Sequence, residues 1–335
     1  MKNKIKAASI LLAAALAAGS MSGCRIAGKE VFFSTGSGIG NVFRIGNLRC
    51  SEKEARVYLA NYHNLYRNVG EVDLWSANLN TDHLEKNLKQ AVLDHLSMIY
   101  AMDVYAQEED INLSDSEKQK IADAAARYYN SLSEEDKSYL KTSEGDIRRI
   151  YEHYALAQKV YANLMSRVDE EVSEDEARIM DAYVISLPAT DKSGSMAAAA
   201  ALKSATSAQE AAVVAQKYSQ SDKEMVSFGR GTYPGEVEEA AFALDDGESS
   251  APVVTDQGIY LVYCIDKYDK KLSEENKINV IASRKKALIS EIIEKQTKDK
   301  FSYLNAGAWD SLKADPGNSV KTNSFFAVFN ENIAF

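Results

Sequence analysis

Four histidines, at positions 63, 83, 95 and 153, are the first place to look for chemistry in this chain of 335 residues. No two of them stand three or four apart and none lies near a cysteine, so their spacing gives no basis for a metal site. The paired acids Glu238-Glu239 and Asp245-Asp246 read as solvated carboxylates in a short helix and a turn. Gly36-Ser-Gly-Ile-Gly40 has the outline of a phosphate loop. It lacks the following Lys-Ser/Thr and a strand–turn–helix setting, so it reads as a tether, and no nucleotide or other cofactor is expected. Tyrosines at 58, 62 and 66, and at 151, 154 and 161, recur at helical spacing. That pattern fits either an exposed aromatic cradle or a buried core.

The amino terminus is a processing signal. Lys2, Lys4 and Lys6 precede the apolar run Ala7–Ala18, which is too short to span a bilayer as a mature helix. It closes on Met21-Ser22-Gly23-Cys24, small residues before a cysteine, which resembles a bacterial lipobox. The resemblance implies cleavage after a signal peptide of residues 1–23 and a lipid on Cys24, with Met21 in place of the usual Leu; ordinary signal cleavage with a free Cys24 thiol is the alternative. Loss of the three lysines takes the formal charge from −10 to about −13. Such an acidic balance argues against nucleic acid and against a polybasic grip on anionic lipid. Cys50 and Cys264 remain, either bridged in a compartment that permits disulfides or buried as separate thiols.

After a flexible tether over 24–41, Val42–Asn47 alternates as a short strand. Ser51-Glu-Lys-Glu54 then has the form of a capping box opening a helix, and a longer helix spans about 81–107. Ser114, Ser133 and Ser143 each precede an acidic residue three places on, the last opening a helix over 144–168. The chain is thus almost wholly helical up to about 172. Over 176–268 the period changes to that of a mixed α+β unit, with strand-like Asp181–Leu187 and a helix opened by Ser207-Ala-Gln-Glu210. A long helix is expected over 273–305, and the aromatic tail Phe325-Phe326-Ala-Val-Phe329 reads as extended. A lone C-terminal helix can bury its apolar stripe only against the earlier helices, so 42–172 and 273–335 are expected to form one discontinuous helical domain.

Within 225–266 the order of landmarks is specific: Phe228-x-Arg230-Gly231, Ala240-x-Phe242-x-Leu244, Gly247-Glu248-x-Ser250-x-Pro252-Val253-x-Thr255, then Gly258-Ile259. It resembles the C-terminal half of a parvulin-type peptidyl-prolyl isomerase domain. The helical flanks are similar, more loosely, to exported foldases of the PrsA and SurA type. The resemblance implies an α+β fold, with a discontinuous helical chaperone domain and an inserted parvulin-like domain built on a small four-stranded antiparallel sheet. It also implies a catalytic site of two facing histidines with a Cys or Asp, above a Met/Leu-Phe-Phe proline pocket.

Placed on that pattern, the histidine positions fall on Tyr183 and Tyr260, and the Cys/Asp position on Ser221, or on Asp222 after a slip of one. The pocket positions fall on Tyr233, Val237, Phe242 and Thr255. Two readings follow. In one, Tyr183 and Tyr260 form a hydrogen-bonded pair across the sheet and sustain a weak isomerase. In the other, the fold and a peptide groove remain without the catalyst. The expected function is an exported folding factor, held on the outer face of the bacterial membrane by its Cys24 lipid and binding unfolded or partly folded exported polypeptides. A homodimer is left open, and an active isomerase or a scaffold for one folded partner are the alternatives.

Overall fold

The computed structural model describes residues 25–26, 29–30, 40–69, 72–73, 81–220, 225–299 and 302–335. Cys24, most of the expected tether and Ser221 with Asp222 lie outside the described residues. The chain forms two compact units, residues 1–167 with 286–335, and residues 168–285.

In chain order, strands β1 (Asn41–Ile45) and β2 (Leu48–Ser51) lead into helices α1 (Glu52–Tyr66), α2 (Thr81–Glu108), α3 (Asp115–Ser131), α4 (Glu134–Leu140) and α5 (Glu144–Met165). Then come α6 (Glu174–Ala177), β3 (Met180–Leu187), α7 (Lys192–Ser204), α8 (Ala208–Tyr218), β4 (Val226–Phe228), α9 (Gly235–Phe242), β5 (Val253–Thr255) and β6 (Gly258–Asp266). The chain closes with α10 (Lys270–Asp299), β7 (Ser302–Leu304), α11 (Ala306–Ser311) and α12 (Phe325–Asn332). Ser114, Ser133, Ser143 and Ser173 each complete a capping box with the acid three residues on, satisfying amides that would otherwise lack partners. Ser51 does only half of this. Its hydroxyl accepts from the Glu54 amide at 3.2 Å, but the Glu54 side chain turns into the core and meets the Tyr100 hydroxyl.

In the first unit, β1 is the centre of a three-stranded antiparallel sheet in the order β7-β1-β2. The hairpin between β1 and β2 turns at Gly46, whose φ of 59° is cheap only without a Cβ. The helix expected to run to 305 stops at Asp299, and β7 pairs with β1, Leu304 lying opposite Phe43. That pairing satisfies main-chain groups that an unpaired β1 edge would expose.

The aromatic tail is also a correction: Phe325–Asn332 is helical, not extended. Phe and Val favour strands locally, but packing prevails. Phe325 and Phe329 recur one turn apart and enter a core of tyrosines, with ring centroids 4.5 Å apart for Tyr151–Phe325 and 4.6 Å for Tyr154–Phe329. The tyrosine alternative resolves toward core at Tyr58, Tyr62, Tyr151 and Tyr154, which are buried, whereas Tyr161 is partly buried and Tyr66 is exposed. Hydrogen bonds fix the approach to this helix. Asn61 Oδ1 accepts from the Phe325 amide at 3.1 Å, and the Tyr151 hydroxyl donates to the Phe325 carbonyl at 2.7 Å. Asp136 completes its own capping box with one oxygen and accepts from the Lys321 and Thr322 amides with the other.

The second unit is a four-stranded antiparallel sheet, order β4-β3-β6-β5, with helices on both faces. One face carries Ile185, Leu187, Ile259, Leu261 and Tyr263 under α7 and α8. The other carries Ala182, Val184, Val262 and Cys264 under α9. The N-terminal part of α10 is tied to its own unit through Arg284, which donates to the Asp169 and Glu171 carbonyls and pairs with Glu176. Cys50 and Cys264 are both free and buried.

Removal of the Phe325 ring leaves a cavity among four tyrosines. We predict that Phe325→Ala costs about 3–5 kcal/mol. Denaturant unfolding of the variant reads this directly; a loss as small as that of the exposed Phe335→Ala would show the tail helix to be incidental.

Candidate functional site

The strand register decides which side chains can meet. Strands β3 and β6 pair so that Tyr260 lies opposite Ser186, Val262 opposite Val184, and Tyr263 opposite Tyr183. Directly opposed residues of an antiparallel pair share a face, and successive residues alternate. Tyr183 therefore packs with Tyr263 and Ile185 on the α7–α8 face, whereas Tyr260 packs with Tyr233, Phe242 and Val253 on the α9 face. The cross-sheet pair of Tyr183 and Tyr260 is not formed, because the sheet itself separates them. The β3 neighbours of Tyr260 on its own face are Ser186 and, diagonally, the buried Val184.

On the α9 face, aromatic rings converge. Tyr233 stands edge-on to Phe228 at 4.8 Å and to Tyr260 at 6.3 Å, and Phe228 lies 5.8 Å from Phe242. The guanidinium groups of Arg178 and Arg230 lie over the Phe242 ring, 5.1 and 4.9 Å from its centroid. Each is also held by polar partners: Arg230 pairs with Asp175 at 2.6 Å, and Arg178 donates to the Lys267 and Phe242 carbonyls. The other two expected pocket residues do different work. Val237 is wholly buried on the inner side of α9 and belongs to the core rather than to an open wall. Thr255 closes the β5–β6 turn, donating to the Gly258 carbonyl at 3.1 Å and accepting from the Gln257 amide at 3.2 Å.

Glu238 was expected to be solvated and is instead buried. Its carboxylate accepts from three successive amides, those of Gly231 at 3.0 Å, Thr232 at 2.7 Å and Tyr233 at 2.9 Å. One side chain thus sets the loop that carries Tyr233 over the sheet, with Gly231 supplying the positive φ of 87° that the turn needs. The sequence signal for it was slight: an acid one turn into a helix that follows a Gly-Thr-Tyr loop.

The chemistry available is limited. Residues 168–285 contain no histidine. Cys264 shares the face of Tyr260, but burial and the neighbouring Asp246 push its thiol up to about 11, leaving it neutral and a poor nucleophile. The face offers aromatic and aliphatic surface, cation–π-bound rings and tyrosine hydroxyls. These suit the binding of an apolar residue; they supply no imidazole to move a proton near neutrality.

We predict that Glu238→Ala, which strands three amides, costs about 2 kcal/mol or more of stability, and that Glu238→Gln costs less. Denaturant midpoints measured beside the exposed control Glu239→Ala check this, and equal midpoints for the two alanine variants would refute the anchoring role.

Residues 143–277 match the family described as the PPIC-type PPIase domain. No curated protein matches the chain. Among solved structures, it is similar to the peptidylprolyl isomerase PrsA of Bacillus anthracis at 20% identity and a TM-score of 0.35, covering 62% of this chain and 97% of that one. The corresponding figures for PrsA of Bacillus cereus are 18%, 0.38, 78% and 94%. A SurA-like chaperone of Campylobacter jejuni gives 11%, 0.28, 79% and 99%. The family match begins at the N-cap of α5, takes in the whole four-stranded sheet and ends inside α10. The α+β unit is thus the part of the chain that is similar to a PPIC-type PPIase domain.

Proposed function

We propose that this protein is an exported folding factor whose parvulin-type domain binds polypeptide and has lost most or all of its isomerase chemistry. The observation that carries this reading is the α9 face. Its aromatic residues are held in position by a buried carboxylate, while no histidine occurs anywhere in the unit. Prolyl isomerisation crosses a barrier of about 18–20 kcal/mol without breaking a covalent bond. Only contacts that strengthen in the twisted amide lower it. An aromatic surface that grips planar and twisted proline alike gives binding with little rate.

The proposed organisation is a signal peptide over 1–23, a tether over 24–41 and a helical chaperone-like domain from 42–172 and 273–335. The parvulin-like domain occupies 176–268. A lipid on Cys24 would hold the whole at the outer face of the membrane, and the clients would be non-native exported chains. No helix of the described residues is long and apolar enough to cross a membrane. Of the site positions, Tyr260, Tyr233 and Phe242 are proposed to touch the client. Tyr183 is proposed to support the opposite face of the sheet, and Ser221, outside the described residues, is kept as a candidate on its sequence position alone.

The second reading, an active isomerase, is favoured by the family match alone. Two assays on the chain from residue 25 separate the readings. We predict that it suppresses aggregation of a chemically unfolded client, that Tyr260→Ala weakens this, and that neither protein accelerates cis–trans exchange of a proline peptide above buffer. Acceleration lost in Tyr260→Ala would establish the isomerase instead. Indifference to unfolded clients would remove the folding factor.

A further inference from the structure

Four polar side chains meet inside the first unit, far from any surface role that their types suggest. Glu54 of α1, and Tyr100 and Asp103 of α2, are at most 3% exposed. His153 of α5 stacks on the Tyr100 ring, centroids 5.0 Å apart, and its Nδ1 makes a very short contact with Asp103 Oδ2. The other oxygen of each acid, Glu54 Oε1 and Asp103 Oδ1, is buried without a partner among the described residues. Two buried carboxyl groups thus lie near a single, partly exposed imidazole, Asp103 in direct contact with it and Glu54 joined to the Tyr100 ring on which it stacks.

The Tyr100 hydroxyl shows where a proton must sit. It lies 2.7 Å from Glu54 Oε2 and 3.1 Å from the Arg49 carbonyl of β2. A phenol has one hydrogen, and both neighbours are acceptors when Glu54 is ionised. Both contacts become hydrogen bonds only if Glu54 carries a proton and donates it to Tyr100, which then donates to Arg49. Ionised Glu54 would forfeit one bond and place a second buried negative charge near Asp103, only partly offset by His153 and Arg149.

We propose that Glu54, Tyr100, Asp103 and His153 form a proton-operated latch that fastens β2, α1, α2 and α5 in mild acid and loosens them as pH rises through neutrality. The inference stands on this cluster alone and not on the functional reading above. The shifts of the groups agree in sign. Burial raises Glu54 above the usual carboxylate range and Asp103 to about 6; burial by itself would lower His153, but hydrogen bonding to Asp103 and the charge of whichever acid is ionised raise it, so the cluster holds its protons jointly and the shifts do not simply add. Each binds its proton more tightly in the folded state. Its stabilisation is complete below its unfolded pKa and is lost as pH rises through the folded value.

Other charges facing the cluster do not reverse this. Arg149 of α5 favours ionised Glu54 and opposes His153, but it donates to Asp146 at 2.8 Å on the rim. Lys118 of α3 and Glu152 of α5 line the open side with opposite signs. Cys50 of β2 and Tyr58 of α1 are pushed up, mainly by burial and further by Glu54, and stay neutral. Elsewhere in the unit Asp94 is raised to about 6 by burial and adds to the effect, whereas His95, held down to about 4 by burial, opposes it between about pH 6.5 and 4 and so offsets part of the gain at about pH 5.5.

Hydrogen exchange of the full chain, corrected for intrinsic rates, tests the latch. Protection in 96–106 and 147–157 should be about tenfold higher or more at about pH 5.5 than at about pH 7.5. Glu54→Gln, whose amide reproduces the donor to Tyr100, should keep more of the acid-level protection at about pH 7.5 and so show a smaller pH response than the wild type. Equal or lower protection of the wild type in acid, or a Glu54→Gln protein with the full wild-type pH response, overturns the proposal. If that variant fails to fold, NMR titration of His153 in the wild type, assigned with His153→Gln, decides independently. A midpoint above that of an ordinary histidine supports the latch, and one at or below it ends it.

Discussion

The pairing of β3 with β6 fixes nearly everything that matters in the α+β unit. Once Tyr260 lies opposite Ser186, the pleat sends each remaining side chain of both strands to one face or the other. A slip of one residue would exchange the two hydrophobic sets and bury the wrong one under α7 and α8. The register is held at its end by Gly258, where a Cβ would stand 2.6 Å from the Leu187 carbonyl and where φ is 149°. The groove face, the position of Cys264 and the separation of the two tyrosines all descend from that constraint.

The groove face, so defined, is shaped by buried electrostatics as much as by apolar packing. Glu238 gathers three amides and thereby presents Tyr233, while Arg178 and Arg230 lie over Phe242 and bond to fixed oxygens. Such a site is built to hold a shape. It contains no imidazole, and a fold by itself does not fix the chemistry of the site it carries.

The first unit uses the same economy of polar groups in a different way. Asn61, Asp136 and Tyr151 secure the segment leading into α12, so that Phe325 and Phe329 enter the tyrosine core in one orientation. Glu54 gives up the reciprocal half of its capping box to join Tyr100, Asp103 and His153. Asp136 and Glu176 keep their helix-end bonds and also reach other segments, whereas Glu54 leaves its own helix end for Tyr100.

The local signals were strong where they depended on neighbours in sequence. Capping serines fixed the starts of α3, α4, α5 and α6, helical spacing marked the tyrosines, and the landmarks from Phe228 to Ile259 identified the parvulin frame. What failed depended on distant partners. The tail favoured a strand by composition and became a helix because its rings had a core to enter, and the end of α10 gave way to β7 because β1 had an edge to pair. Likewise Glu238 resembled any exposed acid until the loop amides folded onto it. The face of Tyr183 was illegible for a specific reason. A sheet covered by helices on both sides is apolar on both sides, so Ala182-Tyr-Val-Ile185 carries no alternation to tell one from the other. Sequence determined the elements and the frame; only tertiary pairing decided which side chains share a face, and with it what chemistry the face can perform.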